Sequence, residues 1–231
     1  MNSADAATQA DGSVYGVVVL DHSLDSDLLY RQRRATHIDV LHGAEISDEW
    51  DSVPFVAARR LAGAVVSAGP FAGNSAVVAV SEFATIVEPA TVSSLNMAFL
   101  YGTNFHRGFA YARSRNPQRI VLIAYSAPTA HSTGPDKHDN FFSFPPIPET
   151  LDRTKREVDG AVDDGVRIDA VVIQDPSRGE AHFWTGRLHE INDLAADATF
   201  RSHGLLAHID TPASDKVISD IVHAITNTAS Q

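Results

Sequence analysis

The chain contains no cysteine. That excludes a disulfide framework, a thiolate metal site and a cysteine nucleophile, and it fits a reducing, cytoplasmic setting. No run of about 18 apolar residues occurs, so no membrane partner is expected. The first 13 residues, MNSADAATQADGS, have neither a basic n-region nor an apolar core. They read as a disordered tail, not as a secretory signal.

Positive charge is also scarce. Lys and Arg number 18 against 29 Asp and Glu, a net charge of −11. A phosphate backbone rewards a basic surface, so nucleic acid is not an expected partner. The short basic runs at 31–34 and 152–157 lie beside acids and read as solvated helix faces. Nucleotide-binding glycine motifs are missing as well. The glycines of SAGPFAGNS (67–75) follow a predicted helix, with no strand-to-helix GxGxxG and no P-loop. No nucleotide cofactor is therefore expected.

What is present is an alternation of short β-branched runs and helical patterns. VYGVVVL (14–20), SAVVAV (75–80), RIVLIAY (119–125), RIDAVVIQ (167–174) and LLAHI (205–209) read as strands. A return strand at 180–185 would close an antiparallel hairpin over about 167–185. Helical spacing covers 54–68, 89–102, 104–115, 149–163, 188–201 and 214–228, with Pro54 and Pro89 as helix starters. Strands separated by helices predict a three-layer α/β fold, largely parallel. No linker divides the chain, so 14–231 is read as one domain. The stretch at 126–148 is long for a connection, rich in proline and phenylalanine, and fits a lid or binding loop.

In open α/β sheets, ligands sit beyond the carboxyl ends of the strands. Those positions hold Asp21, His22, Ser81, Glu82, Ser126, Asp175 and Asp210. Asp21, His22, Glu82 and Ser126 are the catalytic candidates. Histidine next to a carboxylate suits both proton transfer and metal ligation. Asp21, His22 and His208 are the candidate ligands for a divalent zinc, manganese or iron. His131, Phe141, Phe142 and Asp210 are candidates for substrate contact.

Three comparisons bear on the chemistry. THIDVLHG (36–43) holds His37, Asp39 and His42. It resembles part of the metal-binding motif of cyclase-type formamidases, a His-x-Asp pair followed by a proline and another histidine. Here His42 comes one residue early and the proline is absent; only seven residues carry the likeness, so the activity is not carried over. Ser126, Asp175 and His208 follow the chain order of an α/β-hydrolase triad. However, Ala124 and Pro128 stand where a nucleophile elbow needs small residues, usually glycine. Asp169 is placed like the first acid of a nuclease core, but Thr185 and Arg187 occupy the positions of its Glu-x-Lys.

Two functional readings follow. One is a small-molecule enzyme, a metal-assisted hydrolase or lyase using strand-end Asp and His, with a serine hydrolase on Ser126 kept as a further alternative. The other is a non-catalytic ligand-binding or assembly subunit. Apolar segments such as FVAARRLAGAVVSAG are consistent with burial in a homo-oligomer. The readings differ in whether Asp21, His22 and a third polar side chain converge.

Overall fold

The computed structural model describes residues 13–23, 53–96, 102–134, 140–142, 147–174 and 188–227. Its elements run β1 (Gly16–Asp21), α1 (Val53–Val66), a 3-10 turn (Gly69–Phe71), β2 (Ser75–Val80), β3 (Ala84–Val87) and a second 3-10 turn (Pro89–Ser94). There follow α2 (Phe105–Ser114), β4 (Arg119–Ala124), β5 (Ala130–Ser132), β6 (Asn140–Phe142) and α3 (Pro148–Asp163). β7 (Arg167–Gln174), α4 (Leu188–Arg201), β8 (Leu206–Asp210) and α5 (Asp215–Asn227) complete the order.

Six strands form one sheet in the order β3-β2-β1-β4-β7-β8. All its neighbours are parallel except β3, which runs antiparallel to β2. β1 and β4 are buried along their whole length. That is why they read as unbroken apolar runs and not as alternating ones: helices cover both faces of a parallel sheet. Val18, Leu20, Val121, Ile123, Val171 and Ile173 face the layer of α1 and α5. Val17, Val19, Ile120, Leu122, Ile168 and Val172 face the layer of α2, α3 and α4.

Helix α2 approaches the sheet closely because of Gly108. A Cβ there would stand 2.7 Å from Val80 Cγ1 and 3.0 Å from Val19 Cγ1. This keeps the N-terminus of α2 against the ends of β1 and β2.

Several sequence expectations are revised. Strand β7 is parallel to both of its neighbours, and the return strand expected at 180–185 lies outside the described residues. The antiparallel strand of the sheet is β3, in a segment not read as a strand. The helix expected at 89–102 is a 3-10 turn that ends at Ser94, with 97–101 outside the described residues. Its hydroxyls explain the difference: Thr91 Oγ1 donates to the Glu88 carbonyl and Ser94 Oγ to that of Thr91. Such local bonds compete with a continuing α-helix. The connection at 126–148 is not structureless. It contains a two-stranded hairpin, β5 with β6.

Candidate functional site

The strand order reverses direction between β1 and β4. From β1 the chain steps to β2 on one side, and later returns to β4 on the other. Such a switch point opens a crevice at the carboxyl ends of the two central strands. Asp21 is the last residue of β1, and Ser126 lies just past the end of β4.

Asp21 is completely buried. Its Oδ1 accepts from the Ser23 amide at 3.1 Å and from Ser23 Oγ at 2.8 Å. Its Oδ2 accepts from the Tyr125 amide at 3.0 Å and from Ser126 Oγ at 2.7 Å. Thr103 Oγ1 lies 2.7 Å from Ser126 Oγ, and Ser23 Oγ lies 3.3 Å from it. Four residues from three parts of the chain thus form one network of a carboxylate and three hydroxyls. Asp21, Ser23 and Thr103 are buried while Ser126 is half-buried, so the cluster meets solvent on the Ser126 side. Burial pushes the Asp21 carboxyl above the ordinary carboxylate range, opposed by the bonds from Ser126, Ser23 and Tyr125.

The surrounding loops are pinned. Tyr125 Oη donates to the Ser23 carbonyl at 2.6 Å. The Thr103 amide donates to Thr129 Oγ1 at 2.9 Å, and its carbonyl accepts from the amides of Thr129 and Ala130. Asn104, the next residue, caps α2 by accepting from the Arg107 amide at 3.0 Å. Its Nδ2 donates to the Glu82 carbonyl and to Ser132 Oγ, each at 3.3 Å.

Of the sequence candidates, the structure brings Asp21 and Ser126 together and sends the rest elsewhere. Successive residues of a strand point to opposite faces. Asp21 faces the α2 side, and His22 follows it onto the α1 side. The His22 ring packs on Phe55 at 5.5 Å, with Nε2 against the Asn96 carbonyl. There it braces the segment that Arg59 also holds through the Leu95 carbonyl. His208 shares the register level of Asp21, but on β8, three strands away. At the usual strand spacing that is roughly 14 Å. Asp210 is exposed at the end of the same edge strand. Glu82 meets Asn104 through its carbonyl.

His131 is buried in the β5–β6 hairpin, with Nδ1 2.8 Å from Thr150 Oγ1 and its ring stacked on Phe141. Phe142 pairs with Ala130 at the end of β6. Asp169 is a fully buried partner of Arg119 near the other end of the sheet, and the nuclease comparison fails there. The motif at 36–43 and Asp175 lie outside the described residues. Sequence reasoning missed Ser23 and Thr103. Ser23 carried a signal, since it stands two residues after Asp21. Thr103 stands before a helix cap, where a search of strand ends does not look.

The donor set decides which ion could fit. Among the described residues, no group of three or more His, Asp or Glu could hold a metal, so the His-rich zinc or iron set is not assembled there. One carboxylate and three hydroxyls are hard oxygen donors, suited to magnesium, manganese or calcium. Counting protons favours such an ion. Ser23 and Ser126 spend their hydrogens on Asp21, and Thr103 spends its own on Ser126. Two hydroxyl lone pairs then face each other across the 3.3 Å between Ser23 and Ser126, beside a buried negative charge. The residues fit a hard divalent cation.

No curated protein matches the chain. A family model, described as Rv0959-like protein, vWA domain, matches residues 54–194. That span holds Thr103 and Ser126, while Asp21 and Ser23 come from the end of β1 and the residues just after it. The vWA-like domain is a three-layer α/β fold, and vWA domains commonly bind a divalent metal and often mediate metal-dependent binding. With more than half its length matched, the chain belongs to the Rv0959-like family of vWA-domain proteins.

Proposed function

We propose that the chain is a cation-dependent binding module. Asp21 and the hydroxyls of Ser23, Thr103 and Ser126 would hold one magnesium or manganese ion at the carboxyl edge of the sheet. Such an ion commonly keeps several waters and uses one or two carboxylates from the protein. Against a divalent ion, the single carboxylate of Asp21 leaves a net positive charge. That charge favours a ligand carrying an anionic oxygen, reached through the half-buried Ser126 side. The observation that carries this reading is a fully buried carboxylate that takes two hydroxyls, one of them tied to a third, with no cationic side chain among the described residues in its hydrogen bonds.

Binding is preferred to hydrolysis for a geometric reason. A general base must lie within hydrogen-bond reach of the water or hydroxyl it activates. His22 is engaged on the opposite face of the sheet and His208 lies on its edge, so neither can serve Ser126 or a bound water.

Thermal unfolding in the presence of magnesium or manganese tests the proposal. Binding to the folded state alone stabilises by about 2.7 kcal/mol at a ligand concentration of 100 times Kd. The wild type should show a saturable rise in Tm, and Asp21→Asn should show none. An unchanged Tm with both ions, or an equal rise in Asp21→Asn, would sink the reading.

A further inference from the structure

Beside the site stands a second polar cluster, built on the β5–β6 hairpin. His106, in the first turn of α2, takes the Ser132 amide on Nδ1 at 3.3 Å. Ser132 is 8% exposed, so its N–H has little water to turn to. Its carbonyl accepts from Arg153 Nη1 and its Oγ from Asn104 Nδ2. The other end of β5 is fastened to the site, since the amides of Thr129 and Ala130 both donate to the Thr103 carbonyl. A single imidazole lone pair therefore helps fix the strand that holds Thr103.

That lone pair exists only while the ring is neutral. In the imidazolium both nitrogens are donors, so N–H would face N–H and the Ser132 bond could not form. We infer that His106 is a pH-sensitive latch: neutral, it seats the β5–β6 hairpin and through it Thr103, and protonated, it unseats both. For its effect on ligand binding, the latch rests on the cation reading of the same cluster.

Burial favours the neutral form, and the charges around the ring are divided. Helix α3 presents Arg153, Arg156 and Glu157 to it, and β5 presents His131. Glu157 Oε1 lies 3.9 Å from His106 Nε2 and would favour the imidazolium. Its other oxygen, however, is bound by Arg113 at 3.0 Å. Arg153, His131 and Arg156 oppose the charge, and on the sheet side α2 meets Val19 and Val80. Burial acts first and in the same direction, holding His106 below the ordinary imidazole range. The latch is closed at neutral pH and opens only in acid, below the pH at which an ordinary imidazole takes up its proton.

Hydrogen exchange of the Ser132 amide, corrected for the intrinsic rate, tests this between about pH 7.5 and pH 5. Protection in the wild type should fall by about tenfold or more on acidification. In His106→Asn, whose side-chain oxygen can accept at any pH, protection should persist across the range. In His106→Ala it should be low throughout. A wild type without the step, a step that survives in His106→Asn, or a fully protected His106→Ala would each overturn the latch.

Manganese titration of the wild type and His106→Asn then separates the two readings. Acid loss of affinity beyond that of His106→Asn belongs to the latch, and equal losses would show that it does not govern the site. A wild type that binds no manganese at any pH removes the cation reading, while the exchange data still decide the latch.

Discussion

Two aspartates of this sheet are completely buried, and they are built in opposite ways. Asp169, on β7, receives Arg119 Nε at 3.1 Å, Arg167 Nε at 3.3 Å and the Leu205 amide at 2.8 Å. Arg119 is itself only 4% exposed. Asp21, at the end of β1, receives only neutral donors among the described residues: two hydroxyls and two amides. Buried charges are ordinarily paired or coordinate metals. Asp169 carries its counter-ion within the chain, which makes it a structural tie between β4, β7 and the turn before β8. Asp21 has none among the described residues, which makes it the place where a cation from outside is worth most.

The largest expected effect comes from breaking the built-in pair. Arg119→Met leaves Asp169 buried beside Arg167 alone and should cost about 3–5 kcal/mol of unfolding free energy in urea. Magnesium should recover none of it. The double change Arg119→Met with Asp169→Leu should restore most of the loss, because removing both charges removes the desolvation cost with them. A single mutant within 1 kcal/mol of wild type would put Asp169 in the same class as Asp21 and dissolve the comparison.

The contrast explains what could be read from the sequence and what could not. The parallel, helix-covered sheet was legible because β1, β4 and β7 are buried on both faces and so appear as continuous apolar runs. Asp21 and Ser126 were legible because strand ends beside a switch point are where ligands sit. His22 was misplaced because adjacency in sequence is opposition on a strand. His208 was misplaced because strand order was unknown, and only that order sets it three strands away. Thr103 was missed because its place depends on α2 docking through Gly108, a contact no local pattern encodes. Asp169 sits where a nuclease core would place its first acid, but the sequence did not reveal its real role. Its partner Arg119 lies 50 positions earlier in the chain, and only the parallel pairing of β4 with β7 brings them together.

A smaller effect should appear in the pH dependence of cation binding. Burial raises the Asp21 pKa in the folded state above its unfolded value. Its contribution to stability is therefore fully present in acid and is lost as pH rises through the raised pKa, where the buried carboxylate ionises. A cation stabilises the ionised form, so proton and cation compete. The magnesium-induced rise in Tm should be greatest above that pKa. Below it, the apparent affinity should fall about tenfold per pH unit, as one proton is released per ion bound. Measured in His106→Asn, to set the hairpin aside, a pH-independent affinity would mean that Asp21 is not the group that binds the ion.

The smallest effect should come from Ser126→Ala. Asp21 Oδ2 would lose one donor and keep the Tyr125 amide, while Thr103 would lose the acceptor for its hydroxyl. Loss of one such bond costs about 1 kcal/mol, measured as a shift in the urea midpoint. Three of the four oxygen donors remain, so magnesium affinity should weaken about tenfold, equivalent to roughly 1.4 kcal/mol, and not vanish. If Ser126→Ala bound no ion, the hydroxyl and not the buried carboxylate would be the principal anchor. Asp21 would then be a structural residue held by neutral donors, closer in kind to Asp169 than the two networks imply.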